Sequence, residues 1–444
     1  MKNYLILLMV MVFFCGCSKF LDEKPSQKLA TISTKEDLWA LLNNENIFNS
    51  MSLVGEDLSD NYYLMEDTWN SIANISTRNK YTWEVSENDD IAWSMLYLRV
   101  YYANVVLENA LAIKAKLGDK DFREISGTAK FYRSLSFFEL MTLFSLPYIG
   151  NENSDKLGIS LRLSADIDKK FPRSSIKECY EKIIADLKES EDELPALTSI
   201  KTRPSKLAVK ALLARIYLSI GNYDEAFEFS RRVLEERSDL LDYSKINGEV
   251  ETPFKRYNLE VIHWTSNYSE LLTQQNCFVD TLLYNTYQDG DYRKKLYFRE
   301  ESNNKVKFRG TFAEDITLHF TGSTTAEMYL TFAEASLKVN GKKNEGKDKL
   351  NYFLKFRYHL DELPKLPEND SELRNFILNE RRKEFIFRNR RFEDVRRLNL
   401  EGDNIIFVRR LAGREYKLTP KSSKYALLIP LEAIKYSGFV QNQR

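Results

Sequence analysis

Residues 203–236, RPSKLAVKALLARIYLSIGNYDEAFEFSRRVLEE, constrain the fold more than any other part of the sequence. Small and large apolar residues recur there at steps of three and four, Pro204 suits a first helical turn, and Gly221 can end a helix. The pattern predicts a helical hairpin whose second helix begins near Tyr223. Five residues have the spacing of a tetratricopeptide repeat, in which small residues let two helices approach closely and tyrosines fill the groove: Ala214, Tyr217, Gly221, Tyr223 and Ala226.

Weaker patterns of the same period occur elsewhere in the chain. They predict helices at 93–113, 130–144, 174–192, 327–357 (a hairpin that turns near Gly341) and 371–388. We expect about eight helices in four stacked pairs, because no single pair can bury its apolar face alone. This scaffold would occupy about 92–145, 174–237 and 325–390.

Long polar stretches, rich in Asn, Asp, Ser, Gly and Tyr, separate these helices. They lie at 50–90, 145–172, 238–323 and 400–444. They contain only short strand-like pieces, such as EVIHWTS, YTWEV and YALLIPL. Connections longer than about 15 residues usually have a function. We therefore expect ligand-binding insertions at about 50–90 and 238–323.

The beginning of the chain has the features of a lipoprotein leader. The apolar run at 4–14 is shorter than the roughly 20 residues that a membrane-spanning helix needs. Cleavage before Cys17 would follow the small Gly16, whereas cleavage before Cys15 would follow the large Phe14. Cys17 is therefore the predicted lipidation site, and the alternative is an ordinary secretory leader with an incidental cysteine. The expected segments are a signal peptide and a lipidated flexible tether, at 1–16 and 17–30.

Charge and cysteine usage exclude several other classes of function. Lys and Arg number 65, as do Asp and Glu, and a net charge of zero argues against a nucleic-acid partner. The densest basic stretch, 381–397, is expected to be a helix surface with many ion pairs. Cys179 and Cys277 are expected to be free and buried. Neither a metal site nor a cofactor is predicted, because the histidines have no partner at ligand spacing: His263, His319 and His359.

Taken in their order along the chain, these features resemble the SusD/RagB family of nutrient-binding outer-membrane lipoproteins. Six passages carry the resemblance: CSKFLDEKPSQ, WSMLYLRVYYANVVLENA, AKFYRSLSFFELMTLFSLPYIG, LSIGNYDEAFEFSRRVL, LNERRKEFIFRNRRFEDVRRLNL and the closing LLIPLEAIKYSGFVQN, which looks like a Pro-containing strand before a terminal Gln-Asn. The chain departs from the family at RNRRFEDVRR, where relatives more often have a His and a Trp and this chain has Phe392.

The resemblance implies a mainly α, SusD-like fold over 31–444, with about four tetratricopeptide-type helix pairs packed against an irregular, loop-rich half with short strands. It also implies a lipid anchor in the outer membrane, facing the cell exterior, and a SusC-type TonB-dependent transporter that receives a glycan, or a peptide, from this protein. Four residues after Cys17 look similar to the family's surface-export signal: Ser18, Lys19, Asp22 and Glu23.

Ligand-binding residues are sought among tyrosines and tryptophans in polar stretches, since a sugar face needs exposed rings flanked by hydrogen-bonding groups. The first stretch, 60–79, offers Asn61, Tyr62, Tyr63, Asp67, Trp69 and Asn70, with Trp69 as the expected platform. The second, 284–298, offers Tyr284, Tyr287, Tyr292 and Arg293. Plain packing is the alternative for each of them.

Two other functions compete with capture. A surface glycosidase would need two converging carboxylates, and the available ones are Glu327, Glu334, Glu380 and Glu384. They fall on predicted helices, where pairing with a neighbour or solvation explains them better, so no enzyme is expected. A helical-repeat adaptor that binds a protein or peptide would instead carry its ligand residues on the helices.

Overall fold

The computed structural model describes residues 32–84, 86–88, 91–301 and 305–444. The predicted signal peptide, the lipidation site Cys17, the export signal and the tether lie outside this part of the chain.

Helices dominate the described residues. They are α1 Lys35–Leu42, α2 Glu45–Phe48, α3 Val54–Asp57, α4 Glu66–Ser71, α5 Ile75–Tyr81, α6 Ile91–Ala112, α7 Lys114–Phe144, α8 Ile176–Glu193, α9 Lys206–Ser219, α10 Tyr223–Glu236, α11 Thr281–Tyr284, α12 Tyr292–Tyr297, α13 Thr325–Ser336, α14 Lys343–Leu354, α15 Asp370–Glu384, α16 Arg391–Glu401 and α17 Leu431–Ser437.

Short strands complete the structure. They are β1 Tyr62–Leu64, β2 Leu157–Ser160, β3 Arg173–Ser175, β4 Val261–His263, β5 Ser266–Asn267, β6 Cys277–Val279, β7 Phe298–Glu300, β8 Val306–Phe308, β9 His319–Phe320, β10 Ser323–Thr324, β11 Phe407–Leu411 and β12 Arg414–Leu418. All pair antiparallel in two-stranded ladders: β1–β6, β2–β3, β4–β10, β5–β9, β7–β8 and β11–β12.

The predicted helical scaffold is confirmed. α6 packs on α7, α7 on α8, α9 on α10, α10 on α13, and α13 on α14 and α15. Gly221 and Gly341 have φ of 70° and 73° and lie in the turns of the α9–α10 and α13–α14 hairpins, where the left-handed backbone favours glycine. The long α7 is kinked at Gly118, which has φ 73°.

The polar stretches contain fewer of the expected strands. EVIHWTS does form β4 and the start of β5, but YALLIPL is not a strand, because Pro430 has no N–H for a ladder and precedes α17 as its N-cap. Residues 81–84, the part of YTWEV that the structure describes, are not a strand either, since Tyr81 ends α5 and Trp83 has φ 57°.

The apolar interior has two clusters. The larger one lies between the scaffold helices and includes Cys179, and the smaller one lies in the irregular half and includes Cys277. Both cysteines are buried and free, as predicted, and burial raises the pKa of each thiol to about 12.

The basic stretch 381–397 is not a helix surface, which corrects the expectation. Five of its seven arginines are buried, and most of these are held by carboxylates, whereas Arg396 is held by the backbone carbonyls of Tyr425 and Ser145. Arg397 lies 2.6 Å from Glu334, and Arg381 lies 3.1 Å from Asp394.

The four glutamates considered for catalysis are also buried rather than solvated. Glu327 lies 2.6 Å from Arg215, and Glu380 lies 2.5 Å from Arg293. Glu384 lies 2.9 Å from Arg357, and Glu334 pairs with Arg397 as above. Burying a carboxylate is costly unless it is paired, so their partners across the fold account for all four.

Candidate ligand-binding cleft

A polar cleft opens where the two predicted insertions, 50–90 and 238–323, meet the first turn of α6. Its volume is about 340 Å³. Residues of α3 and α5 form one wall, the segment 267–270 forms the opposite wall, and Ile91, Ala92 and Met95 of α6 close one end.

The two walls are joined by the backbone. Ser50 forms an isolated bridge with Ser266, and the N–H of Met51 donates to the carbonyl of Ser266 at 3.3 Å. The Asn267 side chain donates through Nδ2 to the Met51 carbonyl at 2.5 Å and accepts from the Tyr268 N–H at 2.8 Å. These bonds hold the turn at Tyr268 in place over the cleft.

Tyr268 is the exposed aromatic ring of this wall, with half of its surface open to solvent (50%). The next residue, Ser269, donates from Oγ to Asp57 Oδ1 at 2.5 Å and caps the short 3₁₀ helix Glu270–Leu272. Asp57 is buried at the end of α3, so this bond ties the turn to the opposite wall.

The wall formed by α5 is polar. Asn74 is the N-cap of α5, and its Oδ1 accepts from the N–H groups of Ser76 and Thr77 at 2.9 and 3.3 Å. The side chains of Thr77 and Lys80 follow at steps of three along the same helix face and line the cleft.

The cleft therefore combines one exposed ring with amide, hydroxyl, ammonium and carboxylate groups within a rigid frame. A ligand with several hydroxyls and a flat C–H face satisfies both kinds of group, because the ring takes the apolar face and the polar walls take the hydroxyls. The arrangement fits a sugar better than a purely apolar molecule.

The first predicted stretch is split between core and surface. Asn61 and Tyr62 are buried, which corrects the expectation that they face a ligand. Asn61 donates to Glu56 Oε1 at 2.7 Å, and the Tyr62 hydroxyl donates to the Asp57 carbonyl at 2.7 Å. Both polar side chains have hydrogen-bond partners inside the protein, so they can be buried although the residues around them in the sequence are polar.

The other four residues of this stretch reach the surface but do not line the cleft. Tyr63 is half-buried, with its ring 5.6 Å from that of Phe278, and Asp67 and Asn70 are exposed. Trp69 is half-buried, and its indole N–H donates to the Arg78 carbonyl of α5 at 3.1 Å. Trp69 therefore packs against α5 and does not line the cleft itself.

The second predicted stretch mostly supports the core. Tyr287 and Arg293 are buried, a second correction, because the Tyr287 hydroxyl donates to the Lys383 carbonyl at 2.8 Å and Arg293 pairs with Asp291 at 2.8 Å. Tyr284 is half-buried, with its hydroxyl bonded to Glu300, and Tyr292 is half-buried near His359.

Tyr268 and Asn267 were missed in the sequence. The sequence does carry a signal for them, since TSNYSEL places a tyrosine between Asn and Ser inside an expected insertion, as 60–79 and 284–298 place tyrosines among polar residues. Among the tryptophans, Trp83, Trp93 and Trp264 are buried.

Metal binding and membrane spanning can be judged from the side chains and helices of the described residues. No group of three or more His, Cys, Asp or Glu side chains in these residues has an arrangement that could hold a metal ion. Within the same residues, no helix has both the length and the apolar character needed to cross a membrane.

Comparison with protein families gives two matches. A family described as starch-binding and associating with the outer membrane matches residues 19–218, and the SusD family matches residues 325–426. Together they cover more than half of the chain, and the second includes the arginine-rich stretch 381–397.

Individual proteins agree with this result. The SusD-like protein P2 of Formosa agariphila is 26% identical, over 90% of this chain and 91% of its own length. A SusD superfamily protein of Bacteroides thetaiotaomicron has a similar structure, with a TM-score of 0.76 and 21% identity, over 93% of this chain and 100% of that one. A protein of Bacteroides vulgatus described as sugar binding has the same TM-score and identity, over 93% and 99% of the two chains. This chain belongs to the SusD/RagB family.

Proposed function

We propose that this protein captures an oligomeric glycan at the cell surface and delivers it to a SusC-type TonB-dependent transporter. The observation that carries the proposal is the polar cleft between the two insertions, with Tyr268 exposed on a turn that is held from both sides. The description of one matched family as starch-binding, and of a structural relative as sugar binding, supports a carbohydrate ligand.

The proposed role is binding without catalysis. Glu327, Glu334, Glu380 and Glu384 are buried and paired with arginines, and none of them lines the cleft. Two other carboxylates do line it, Asp57 and Glu270, but Asp57 is buried and already accepts a hydrogen bond from Ser269. A glycosidase needs two carboxylates that face the scissile bond across an open site. Family membership supports the same conclusion, since SusD proteins are binding proteins.

The proposed location is the outer leaflet of the outer membrane, with a lipid on Cys17. The leader sequence and the description of the matched family as associating with the outer membrane support this placement. Two or more acyl chains on one cysteine suffice for stable anchoring. Replacing Cys17 with Ser should release the protein from membranes, which fractionation of cells would detect.

The proposed site extends from Tyr268 toward the exposed part of the first stretch. Asn74 lines the cleft, and Asn70 lies only four residues before it in the sequence. The outer edge of the proposed site would therefore be formed by Asp67, Asn70 and the half-buried Trp69 and Tyr63. Tyr284 and Tyr292 remain candidates for a more remote contact, on the same insertion as Tyr268.

A calorimetric screen tests the function. The chain from Ser18 onward would be titrated with oligosaccharides and peptides, and hydrolysis would be followed in the same samples. We expect saturable binding of one glycan class without turnover. Turnover would favour the glycosidase, and binding of peptides alone would favour the adaptor.

Two substitutions then locate the ligand. Tyr268→Ala should weaken binding of the glycan about tenfold or more, because it removes the exposed ring of the cleft. Trp69→Ala should weaken it less, since Trp69 packs beside the cleft. Tyr352→Ala is the matched control, because Tyr352 is a similarly exposed ring (45%) on α14. Equal binding by Tyr268→Ala and this control would remove the cleft as the site.

A further inference from the structure

A second cleft lies on the other side of α6. Its volume is also about 340 Å³, but its lining is mainly aromatic. The side chains that matter most are Trp93, Tyr97, Tyr101, Arg162, Tyr436 and Phe439. They come from α6, from the segment after β2 and from the C-terminal residues around α17.

The two clefts share α6 as a common wall. Ile91 and Met95 face the polar cleft, whereas Tyr101 faces the aromatic one. At 3.6 residues per turn, Ser94 and Leu98 lie between these two flanks, and both are exposed. The ridge between the clefts is therefore one helix wide, about 10 Å, and it carries an apolar side chain, Leu98, that is 47% exposed.

Two rings of the aromatic cleft are fixed by their hydroxyls. The Tyr97 hydroxyl donates to the Ser160 carbonyl at 2.9 Å, and the Tyr436 hydroxyl donates to the Ile167 carbonyl at 2.8 Å. Because the hydroxyls are engaged, these residues present ring surface to the cleft, and Tyr436 is 54% exposed. Rings that are already held lose little conformational freedom when a ligand binds.

The chemistry of the lining indicates the kind of ligand. Stacked or tilted rings take flat C–H faces, and the guanidinium of Arg162, which lies 5.6 Å from the Phe171 ring, can donate hydrogen bonds to hydroxyls at the edge. A groove that binds a protein helix would be lined by aliphatic side chains as readily as by aromatic rings. Here Ile167 and Ala433 are the aliphatic residues of the lining, beside five aromatic ones.

We propose that the aromatic cleft is a second subsite for a linear oligosaccharide, reached only when the ligand is long enough to cross α6 from the polar cleft. This inference rests on the proposed function of the polar cleft. It predicts that affinity rises with the length of the oligosaccharide, because a second contact on one chain binds at a high effective concentration.

The test uses the full-length protein in detergent and a length series from disaccharide to octasaccharide for each glycan class, starch fragments included. In the wild type, the octasaccharide of the recognised class should bind more tightly than its disaccharide. Tyr101→Ala and Tyr436→Ala should each weaken octasaccharide binding about tenfold and leave disaccharide binding unchanged. Tyr436→Phe keeps the ring and should keep most of the affinity.

Two further variants separate this inference from the function on which it rests. Tyr268→Ala should weaken both lengths, and Tyr352→Ala should weaken neither. If the octasaccharide binds no better than the disaccharide, or if Tyr101→Ala and Tyr436→Ala leave octasaccharide binding intact, the second subsite is wrong and the polar cleft stands. If no oligosaccharide binds, both proposals are overturned.

Discussion

At the residue scale, two Asn-Tyr pairs show how little local sequence says about exposure. Asn61 and Tyr62 lie in a polar stretch and are buried, whereas Asn267 and Tyr268 lie in a similar stretch and line the open cleft. Tyr62 can be buried because its hydroxyl donates a hydrogen bond to the Asp57 carbonyl inside the irregular half. Its ring also lies 6.1 Å from that of Phe387, which is far away along the chain. Contacts between distant residues decide burial, so the kind of site could be predicted from the sequence but its principal ring could not.

Glu139 is a buried acid whose proton affects stability. Burial raises its pKa from 4.5 to about 7, against the opposing effect of Arg99, Arg390 and Arg215 nearby. Below pH 4.5 the residue is protonated in both states. As the pH rises to about 7, the unfolded chain loses this proton while the folded one keeps it, so stability falls over that window and is level above it.

The variant Glu139→Gln should remove this dependence. Its free energy of unfolding, relative to the wild type, should rise by up to about 3 kcal/mol between the low and the high end of the window. Urea unfolding at several pH values measures the difference. Burial lowers the pKa of His263 and His319 to about 3 and about 4, but both are present in either protein and cancel. A difference that does not change with pH would contradict the assignment.

At the scale of elements, the helix pairs were predictable because their pattern is local. The period of the apolar residues and the turn glycines predict the bounds of the hairpins α9–α10 and α13–α14 to within a few residues. The insertions were harder, since their two-stranded ladders join residues far apart: Tyr63 pairs with Phe278, and Ser266 with Phe320. Short strands carry little periodic signal, and their partners lie outside any local window.

Close helix packing within a pair can be tested at Gly346. A Cβ there would lie 1.8 Å from Ser336 Oγ of the facing helix, so Gly346→Ala should destabilise the protein by about 1–3 kcal/mol. Helix propensity alone predicts the opposite sign, a gain of about 1 kcal/mol. Adding Ser336→Gly should recover part of the loss in thermal or urea unfolding. A more stable Gly346→Ala protein would show that the helices are not in this contact.

At the scale of the whole molecule, buried ion pairs join the irregular half to the scaffold. Arg357, after α14, lies 2.8 Å from Glu260 of the 238–323 insertion and 2.9 Å from Glu384 of α15. Arg293 of the same insertion also reaches α15. Of these residues, Glu384 lies in the stretch 381–397 that was expected to be a helix surface. A sequence with equal numbers of both charges does not reveal which of them are buried.

Removing one member of this network should be costly. Arg357→Met leaves Glu260 and Glu384 buried without their main partner and should reduce the free energy of unfolding by about 3–5 kcal/mol. Arg410→Met is the matched control: it breaks an exposed pair with Glu415 and should cost less than about 1 kcal/mol. We further predict one cooperative unfolding transition for residues 31–444 in urea. Two separate transitions, or similar losses in both variants, would argue against the network as the link.

The most direct test of the central claim is a crystal structure of the protein with the oligosaccharide that it binds most tightly. We predict a sugar ring against Tyr268, between α5 and the segment 267–270, with its hydroxyls bonded to the polar walls of the cleft. An oligosaccharide bound only on the helical scaffold, or only in the 284–298 region, would contradict the assignment of the cleft.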